Sequence, residues 1–193
     1  MCLERKILWI LFVTVVSNFG YAVIAPFLPI EYLKKGISDS VMGFIFAVYS
    51  AAVVLWSPYV SSSLIYMASK RTIIGVSMFL MGVCFALFGL TDKITNNNIL
   101  IACVFANRFF QGMCSATMQT TCYAIATNEF PKKKSLIIGL VEAMTGVGLI
   151  LGPVAGSLLY SSLGFQNCFY VLGGFIIVMS VCFVIFYPGE EGR

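Results

Sequence analysis

The sequence predicts an all-α integral membrane protein, a bundle of six transmembrane helices, and three observations support this fold class. Hydrophobic residues make up 60% of the 193-residue chain and charged residues 10%, with a mean hydropathy of +0.95. Soluble domains carry roughly 25% charged residues, so this chain lacks the polar surface that a water-soluble fold needs. Apolar stretches long enough to cross a bilayer recur along the chain, and Lys and Arg alternate between the segments that separate them.

Each predicted span contains about 20 mostly apolar residues, the length that crosses a hydrocarbon core. The predicted spans are 7–30, 41–67, 72–90, 99–126, 136–160 and 169–187. A signal peptide is the alternative for the first span, because charged residues precede it. The apolar character continues through Ile30 without a small-residue cleavage pattern, so a retained helix is favoured.

The distribution of Lys and Arg predicts the orientation of the chain. One set of loops and termini carries eight basic residues: Arg5, Lys6, Lys70, Arg71, Lys132, Lys133, Lys134 and Arg193. The other set carries three: Lys34, Lys35 and Lys93. The excess predicts a multi-pass protein with both termini in the cytosol. The sequence does not distinguish a plasma membrane from a vesicular one.

Several function classes find no support in the composition. The chain has no histidine and no CxxC pair among its seven cysteines, so neither a metal site nor a disulfide framework is predicted. The absence of histidine also excludes Ser–His and zinc chemistry, and no P-loop is present. We therefore expect no enzyme, no cofactor and no metal. The basic residues are scattered and form no face that would bind nucleic acid.

A weak internal repeat relates the two parts of the chain. A shift of 95 residues lays the second span on the fifth without a gap, with Ser40 on Ser135 and Pro58 on Pro153. The shift equals three spans, and an odd number of spans inverts the second unit relative to the first. This predicts two inverted three-helix repeats, a common building block of secondary transporters. Elsewhere the match is only a shared apolar pattern, so chance similarity is the alternative.

Glycine and proline are concentrated in the fifth span. Gly148, Gly152 and Gly156 are spaced by four residues and so lie on one helix face. Small residues at this spacing let a neighbouring helix approach closely in lipid, and Pro153 bends the helix. We predict a tight, bent helix–helix contact. Such stripes also occur in membrane proteins with other functions, and the spacing alone leaves both readings open.

An arginine lies deep in the fourth span. A central arginine costs about 2.5–3.5 kcal/mol on insertion scales and normally faces a bundle interior or a water-filled cavity. Helical spacing from Arg108 reaches a polar stripe consisting of Gln111, Ser115, Gln119 and Cys122. We interpret the stripe as lining a substrate cavity rather than as a purely structural network. Asn18 in the first span is predicted to face the same cavity.

Glu142 is a second ionisable residue inside a predicted span. It lies near the cytosolic end of the fifth span and well over a helical turn from the depth of Arg108, so the two are not expected to pair. Its carboxylate suits either proton coupling or a structural role, binding helix ends or loop lysines. The structural role is slightly favoured.

Two motifs resemble those of the major facilitator superfamily. "RFFQG", which starts at Arg108, is similar to the R-x-x-q-G motif of the fourth helix. "GLILGPVAGS", which starts at Gly148, is similar to the G-x-x-x-G-P-x-x-G-G antiporter motif of the fifth, with Ser157 replacing the last glycine. The chain resembles the N-terminal six-helix half of that fold over essentially its whole length. "PFLPIEYLKKGIS", "LWSP" and "LVEAMTGVGLILGP" are most similar to the vesicular amine and polyamine transporter group.

The resemblance implies a two-half fold with a central cavity and proton-driven antiport of a small organic cation. It assigns Arg108 to the cavity, Gly152 and Pro153 to a bent contact that favours exchange over leak, and Lys70 and Arg71 to a cytosolic gating loop. The family has twelve helices, so it also implies a second six-helix half, supplied by the same gene, by a second copy or by a partner chain.

Two departures from the family pattern qualify these roles. The gating-loop motif has Ser61, Ile65 and Ala68 where glycine, aspartate and glycine are usual, which weakens the case for gating through that loop. Ser17 stands where amine transporters carry an aspartate, so recognition of a monoamine is not expected. The leading hypothesis is a secondary transporter, or half of one, in the lipid bilayer. The alternative is a truncated, non-transporting membrane protein that dimerises with or regulates a full-length relative.

Overall fold

The structure, a computed structural model, describes residues 2–188, with side chains from residue 4 onward, and every regular element in that range is a helix. The α-helices are α1 (Cys2–Ala22), α2 (Leu28–Lys34), α3 (Asp39–Tyr59), α4 (Ile65–Met67), α5 (Lys70–Leu90), α6 (Asn97–Glu129) and α7 (Lys134–Phe186). A π-helical turn, Val60–Leu64, joins α3 to α4, and 3-10 turns at Thr91–Lys93 and Pro131–Lys133 flank α6. Arg193, which contributes to the charge count above, lies outside the described residues.

Within the described chain, four helical stretches are long and apolar enough to cross a membrane: Asp39–Met67, Lys70–Lys93, Asn97–Glu129 and Pro131–Phe186. The last stretch changes direction at Gly164, whose φ of 74° and ψ of 177° are not helical. Only glycine adopts such a φ without steric cost. The break divides α7 into an N-terminal arm, 134–163, and a C-terminal arm, 165–186. A straight helix of its 53 residues would extend about 80 Å, far beyond a bilayer core of about 30 Å.

The predicted first span, 7–30, is not a single helix. α1 ends at Ala22, a turn covers 23–27, and α2 begins at Leu28. Pro26 explains the interruption, because proline has no N–H for the helix ladder and disfavours helical geometry in the residue before it. Pro29 lies in the first turn of α2, where a missing N–H costs nothing. The apolar run therefore extends past the end of the helix.

α6 contacts each of the other long helices, α1, α3, α5 and α7. α7 packs in addition against α1 and α5. α1 contacts the N-terminal arm of α7, and α5 contacts its C-terminal arm. The core between these helices is built from fully buried side chains such as Ile10, Val13, Met78, Phe85 and Phe169.

Ion pairs gather at the two ends of the bundle. At one end, Glu129 accepts hydrogen bonds from Lys6 at 2.9 Å and from Lys70 at 3.0 Å, which joins the ends of α1, α5 and α6. At the other end, Lys35 pairs with Asp92 at 3.1 Å. Successive long helices therefore run in opposite directions.

Candidate functional site

Arg108 is enclosed in aromatic rings. α6 places its side chain at 0% exposure. The guanidinium carbon lies 5.4 Å from the ring centroid of Phe46, 5.6 Å from that of Tyr49 and 5.8 Å from that of Phe88. A desolvated cation–π contact is worth about 2 kcal/mol or more. The rings, contributed by α3 and α5, therefore stabilise the cation from several sides.

Two of the three guanidinium nitrogen atoms of Arg108 have no hydrogen-bond partner, although the side chain is fully enclosed. Nη1 donates to Oε1 of Gln111 at 3.0 Å, while Nε and Nη2 of Arg108 and Nε2 of Gln111 have no hydrogen-bond partner. Among the ion pairs of the described residues, none includes Arg108. A buried donor without a partner costs about 1–3 kcal/mol. The cluster of Arg108 and Gln111 is therefore equipped to bind a hydrogen-bond acceptor.

A second polar cluster joins α1 to α6 along what we call the polar seam, formed by Ser17, Ser115 and Gln119. The hydroxyls of Ser17 and Ser115 lie 2.7 Å apart, and both residues are fully buried. Nε2 of Gln119 donates to Ser115 at 3.1 Å and to Ser17 at 3.3 Å. Gln119 reaches Ser115 because residues four apart are neighbours on a helix face. The polar stripe predicted on the fourth span thus continues onto α1.

Asn18 turns away from the polar seam towards α7. Its Nδ2 donates to the carbonyl of Thr14 at 2.9 Å and to Oγ1 of Thr145 at 3.3 Å. The residues predicted to line one cavity therefore form three hydrogen-bonded groups. Arg108 bonds Gln111, Ser115 and Gln119 bond Ser17, and Asn18 bonds Thr145.

The three glycines of the fifth span lie against α1, in what we call the glycine seam, formed by Gly148, Gly152 and Gly156. A Cβ atom at Gly148 would lie 2.7 Å from the carbonyl oxygen of Val15, and one at Gly156 would lie 2.4 Å from that of Val23. Contacts this short exist only where the residue has no side chain. Backbone approaches backbone along the seam, across two helical turns and past Pro153.

The remaining predicted site residues lie towards one end of the bundle. Glu142 is exposed, accepts a hydrogen bond from the hydroxyl of Tyr123 and does not pair with Arg108. Lys70 binds Glu129, while the guanidinium of Arg71 donates to the carbonyls of Val184 and Ile185 near the end of α7. These two cations thereby join the start of α5 to α6 and α7. Within the described residues, no group of three or more His, Cys, Asp or Glu side chains is placed to hold a metal ion.

The sequence-based prediction omitted the residues that complete these clusters. Phe46, Tyr49 and Phe88 gave no signal, because aromatic residues make up 15% of the chain and any of them could face lipid. Thr145 lies beside Gly146 inside an apolar span, and its sequence context gives no signal of a polar contact. Ser17 was visible as a departure from the family pattern, but its pairing with Ser115 depends on the packing of two helices distant in sequence.

Comparison with known proteins places the chain in a family. The profile of the Major Facilitator Superfamily matches residues 10–193. The chain is 30% identical over 193 residues to the MFS-type transporter SLC18B1 of Homo sapiens, covering 98% of this chain and 42% of that protein. It is 31% identical over 181 residues to the Mus musculus protein of the same name, covering 92% of this chain and 39% of the relative.

A bacterial relative is more distant. The chain is 23% identical over 181 residues to Multidrug resistance protein 2 of Bacillus subtilis, covering 92% of this chain and 43% of that protein. The chain spans less than half the length of these relatives. The profile match confirms the predicted family, and the SLC18 designation of the mammalian relatives is that of the vesicular amine transporter group which the sequence resembles. This chain belongs to the major facilitator superfamily of membrane transporters.

Proposed function

We propose that this chain forms the N-terminal half of a secondary active transporter that exchanges protons for a small organic cation by alternating access. The observation that carries the proposal is the enclosed polar centre of an apolar bundle, formed by Arg108 with Gln111 and by the polar seam. Polar and ionisable side chains at membrane depth are expensive and usually mark substrate or ion pathways. The family and its named relatives support the same reading.

The substrate class follows from the group that the sequence resembles and from the chemistry of the seam. Ser17, Ser115 and Gln119 offer neutral oxygen atoms, and α1 carries no carboxylate between Glu4 and its end at Ala22. Neutral acceptors without a carboxylate on α1 argue against a compact monoamine, whose single ammonium calls for one fixed carboxylate, and the group that the sequence resembles then points to polyamines. Glu142 is the only carboxylate inside the predicted spans, and we propose it as the proton-coupling group.

A six-span arrangement with inverted repeats is part of the proposal, and the helix contacts support it. Nε1 of Trp56 lies 3.1 Å from Oγ1 of Thr117. The 95-residue shift pairs Trp56 with Leu151 and Thr117 with Ala22, so the repeat predicts a contact between Leu151 and Ala22. The observed neighbour of Ala22 is Gly152, where an added Cβ would lie 2.7 Å from Cβ of Ala22. This near coincidence of one residue pair from each contact supports the proposal that α3 with α6 and α7 with α1 are repeat-related.

We also propose that a second half covers the face formed by α3 and the N-terminal arm of α7. Leu55 and Ile150, which the 95-residue shift superposes, are 72% and 69% exposed, so the two arms present equivalent apolar surface. The relatives are more than twice as long as the region they share with this chain. We propose that the bundle end with Lys6, Lys70 and Glu129 faces the cytosol, because the predicted excess of basic residues lies on that side. In native membranes, a species of about twice 21.1 kDa on a denaturing gel supports a second half encoded in the same chain.

Transport by the full-length protein in proteoliposomes tests the proposal. With an imposed proton gradient, we expect uptake of radiolabelled spermidine in the wild type and loss of uptake to background in Arg108→Ala, with insertion into the membrane unchanged. Lys93→Ala, at an exposed loop, serves as the matched loss of a cation and should transport normally. Normal uptake by Arg108→Ala contradicts the role of the arginine, and wild-type uptake that ignores the gradient contradicts proton coupling.

A further inference from the structure

We infer that a cavity on the exterior of the bundle, between α5 and α6, binds an uncharged, lipid-soluble alcohol or phenol. This site goes beyond the proposed transport function and does not depend on it, because its wall shares no residue with the cluster of Arg108 and Gln111 or with the polar seam. Three observations support the inference: a hydrogen-bond acceptor without a partner, an uncharged and mainly apolar wall, and an opening towards the bilayer.

The unpartnered acceptor is Oδ1 of Asn107. This residue is only 8% exposed, and its Nδ2 donates to the carbonyl of Cys84 at 2.9 Å, which holds the amide against α5. Oδ1 has no hydrogen-bond partner. An acceptor that is buried without a partner has lost the hydrogen bond that it would make in water. A ligand that donates one hydrogen bond to Oδ1 restores it.

Asn107 forms part of the wall of a cavity of about 490 Å³. Most of the other wall residues are apolar or small and include Cys84, Leu87 and Leu90 of α5 and Cys103, Ala106 and Phe110 of α6. The hydroxyl of Thr91, also in the wall, donates to the carbonyl of Phe88 at 2.6 Å. No described residue of the wall carries a formal charge, and an ion that entered would lose its hydration without a counter-charge. The wall therefore favours a neutral, mostly apolar ligand.

The cavity opens on the lipid-facing exterior. Leu87, Leu90 and Phe110 in its wall are 50%, 43% and 56% exposed. Neither α3 nor α7 contributes to the wall, so the second half proposed above leaves the opening free. The volume lies within the range of about 300–1,000 Å³ that is typical of ligand sites.

The chemistry of the wall selects one occupant. A lipid tail would fill the cavity but has no hydrogen to donate, and water would donate one but leave the apolar wall hydrated. An apolar alcohol or phenol does both. Oδ1 has almost no accessible surface of its own, so the hydroxyl reaches it after a small shift of the wall around Asn107.

Thermal unfolding of the purified full-length protein in detergent, with 4-hexylphenol as the probe, tests the site. 4-Hexylanisole is the matched ligand, since methylation removes its one donor. A phenol has a pKa of about 10 and stays neutral at pH 7. At equal micellar concentrations, we expect both to raise the melting temperature saturably, with an apparent affinity about threefold to tenfold tighter for the phenol. Equal affinities, or no saturable rise with the phenol, overturn the proposal.

Three variants separate the acceptor from the cavity. Asn107→Leu keeps the size of the side chain and removes the acceptor, so it should lose the preference for the phenol even if its own melting temperature is lower. Ala106→Leu fills the cavity and should lose the response to both probes. Ala102→Leu, exposed on α6 one turn earlier and outside the wall, is the matched control and should respond as the wild type does. A preference for the phenol that survives in Asn107→Leu, or a response lost equally in Ala102→Leu, overturns the assignment to Asn107 and this cavity.

Discussion

α1 meets its two neighbours in opposite ways. Towards α7, Val15 of α1 and Val23 of the turn that follows it present backbone atoms to the glycine seam, and the atoms nearest to Gly152 and Gly156 are backbone or apolar. Towards α6, α1 presents Ser17 to the polar seam, where hydroxyl and amide groups bond at 2.7 to 3.3 Å. The first contact is held mainly by the closeness of two backbones, with a side-chain hydrogen bond from Asn18 to Thr145 near Gly148, whereas the second is held by hydrogen bonds between side chains.

The difference indicates which contact is fixed and which is adjustable. In lipid, a close backbone contact gains dispersion energy and carries no polar cost, but it tolerates no added volume. A hydrogen-bonded seam tolerates changes of volume better than changes of polarity, and its partners can be replaced by a ligand that offers the same groups. We therefore expect the glycine seam to determine stability and the polar seam to determine what the protein binds.

The largest effect is expected from Gly156→Ala in the glycine seam. Its Cβ would lie 2.4 Å from the carbonyl oxygen of Val23, a backbone atom that cannot move without displacing the turn at the end of α1. Overpacking of this kind costs about 1–3 kcal/mol. A lower melting temperature of the purified full-length protein, followed by tryptophan fluorescence, is the expected result.

Gly146→Ala is the control for that substitution. It lies ten residues earlier in the same helix, and nothing lies within 4 Å of the position that its Cβ would take. Here the better helix propensity of alanine should leave stability unchanged or raise it by up to about 1 kcal/mol. Equal losses at both glycines would show that the glycine seam is not a special contact.

A similar loss of stability is expected from a substitution at Gly112, where α6 meets α3. A Cβ there would lie 2.5 Å from the carbonyl oxygen of Tyr49 and 2.8 Å from Cβ of Ala52. If α3 and α6 are the repeat-related counterpart of α7 and α1, Gly112→Ala should also destabilise by about 1–3 kcal/mol. The same melting experiment checks this, and a neutral Gly112→Ala would separate the two contacts that the repeat equates.

A smaller effect is expected in the polar seam. A double-mutant cycle of Ser17→Ala and Ser115→Ala should give a coupling energy of about 0.6–1.5 kcal/mol, the range for hydrogen bonds between membrane helices. The matched control pairs Ser17→Ala with Thr127→Ala, whose exposed hydroxyl bonds its own helix at 2.9 Å; no coupling is expected. Coupling in the control pair as large as in the seam would argue against a direct bond between the two serines.

The glycine seam could be predicted from sequence and most of the polar site could not, for a physical reason. Spacing by four places Gly148, Gly152 and Gly156 on one face, and a face of small residues in lipid has few uses other than close packing. The stripe from Arg108 to Gln119 was equally visible. Its partners were not, because they depend on how α1, α3 and α5 rotate around α6, which no local pattern determines.

A different limit explains the first predicted span. Hydropathy continues through Ile30 and gives no signal that α1 ends at Ala22, since the break depends on backbone chemistry at Pro26 rather than on polarity. By contrast, the family could be recognised from the short motifs that start at Arg108 and Gly148, because each motif consists of particular residue types at a fixed spacing. Arg108 lies between these cases: the sequence shows the arginine, and only the structure shows its unpartnered donors.

The smallest predicted effect lies where the glycine seam reaches the end of the bundle. One turn beyond Gly156, the hydroxyl of Tyr160 and then the ammonium of Lys34 hold the pKa of the Glu31 carboxyl below its usual value of 4.5. A lowered pKa means that the carboxylate stabilises the folded state above pH 4.5 and that this contribution is lost as the pH falls through the folded-state pKa.

Glu31→Gln should therefore lower the melting temperature at pH 7 and match the wild type in acid, once Glu31 is protonated. Asp39→Asn, an exposed carboxylate at the same end, is the control. A difference in melting temperature between Glu31→Gln and wild type that persists in acid would assign the effect to packing beside Phe27 and Tyr160, whose rings stack at 5.0 Å. The close contact made by the glycine seam would then continue one turn further along α7.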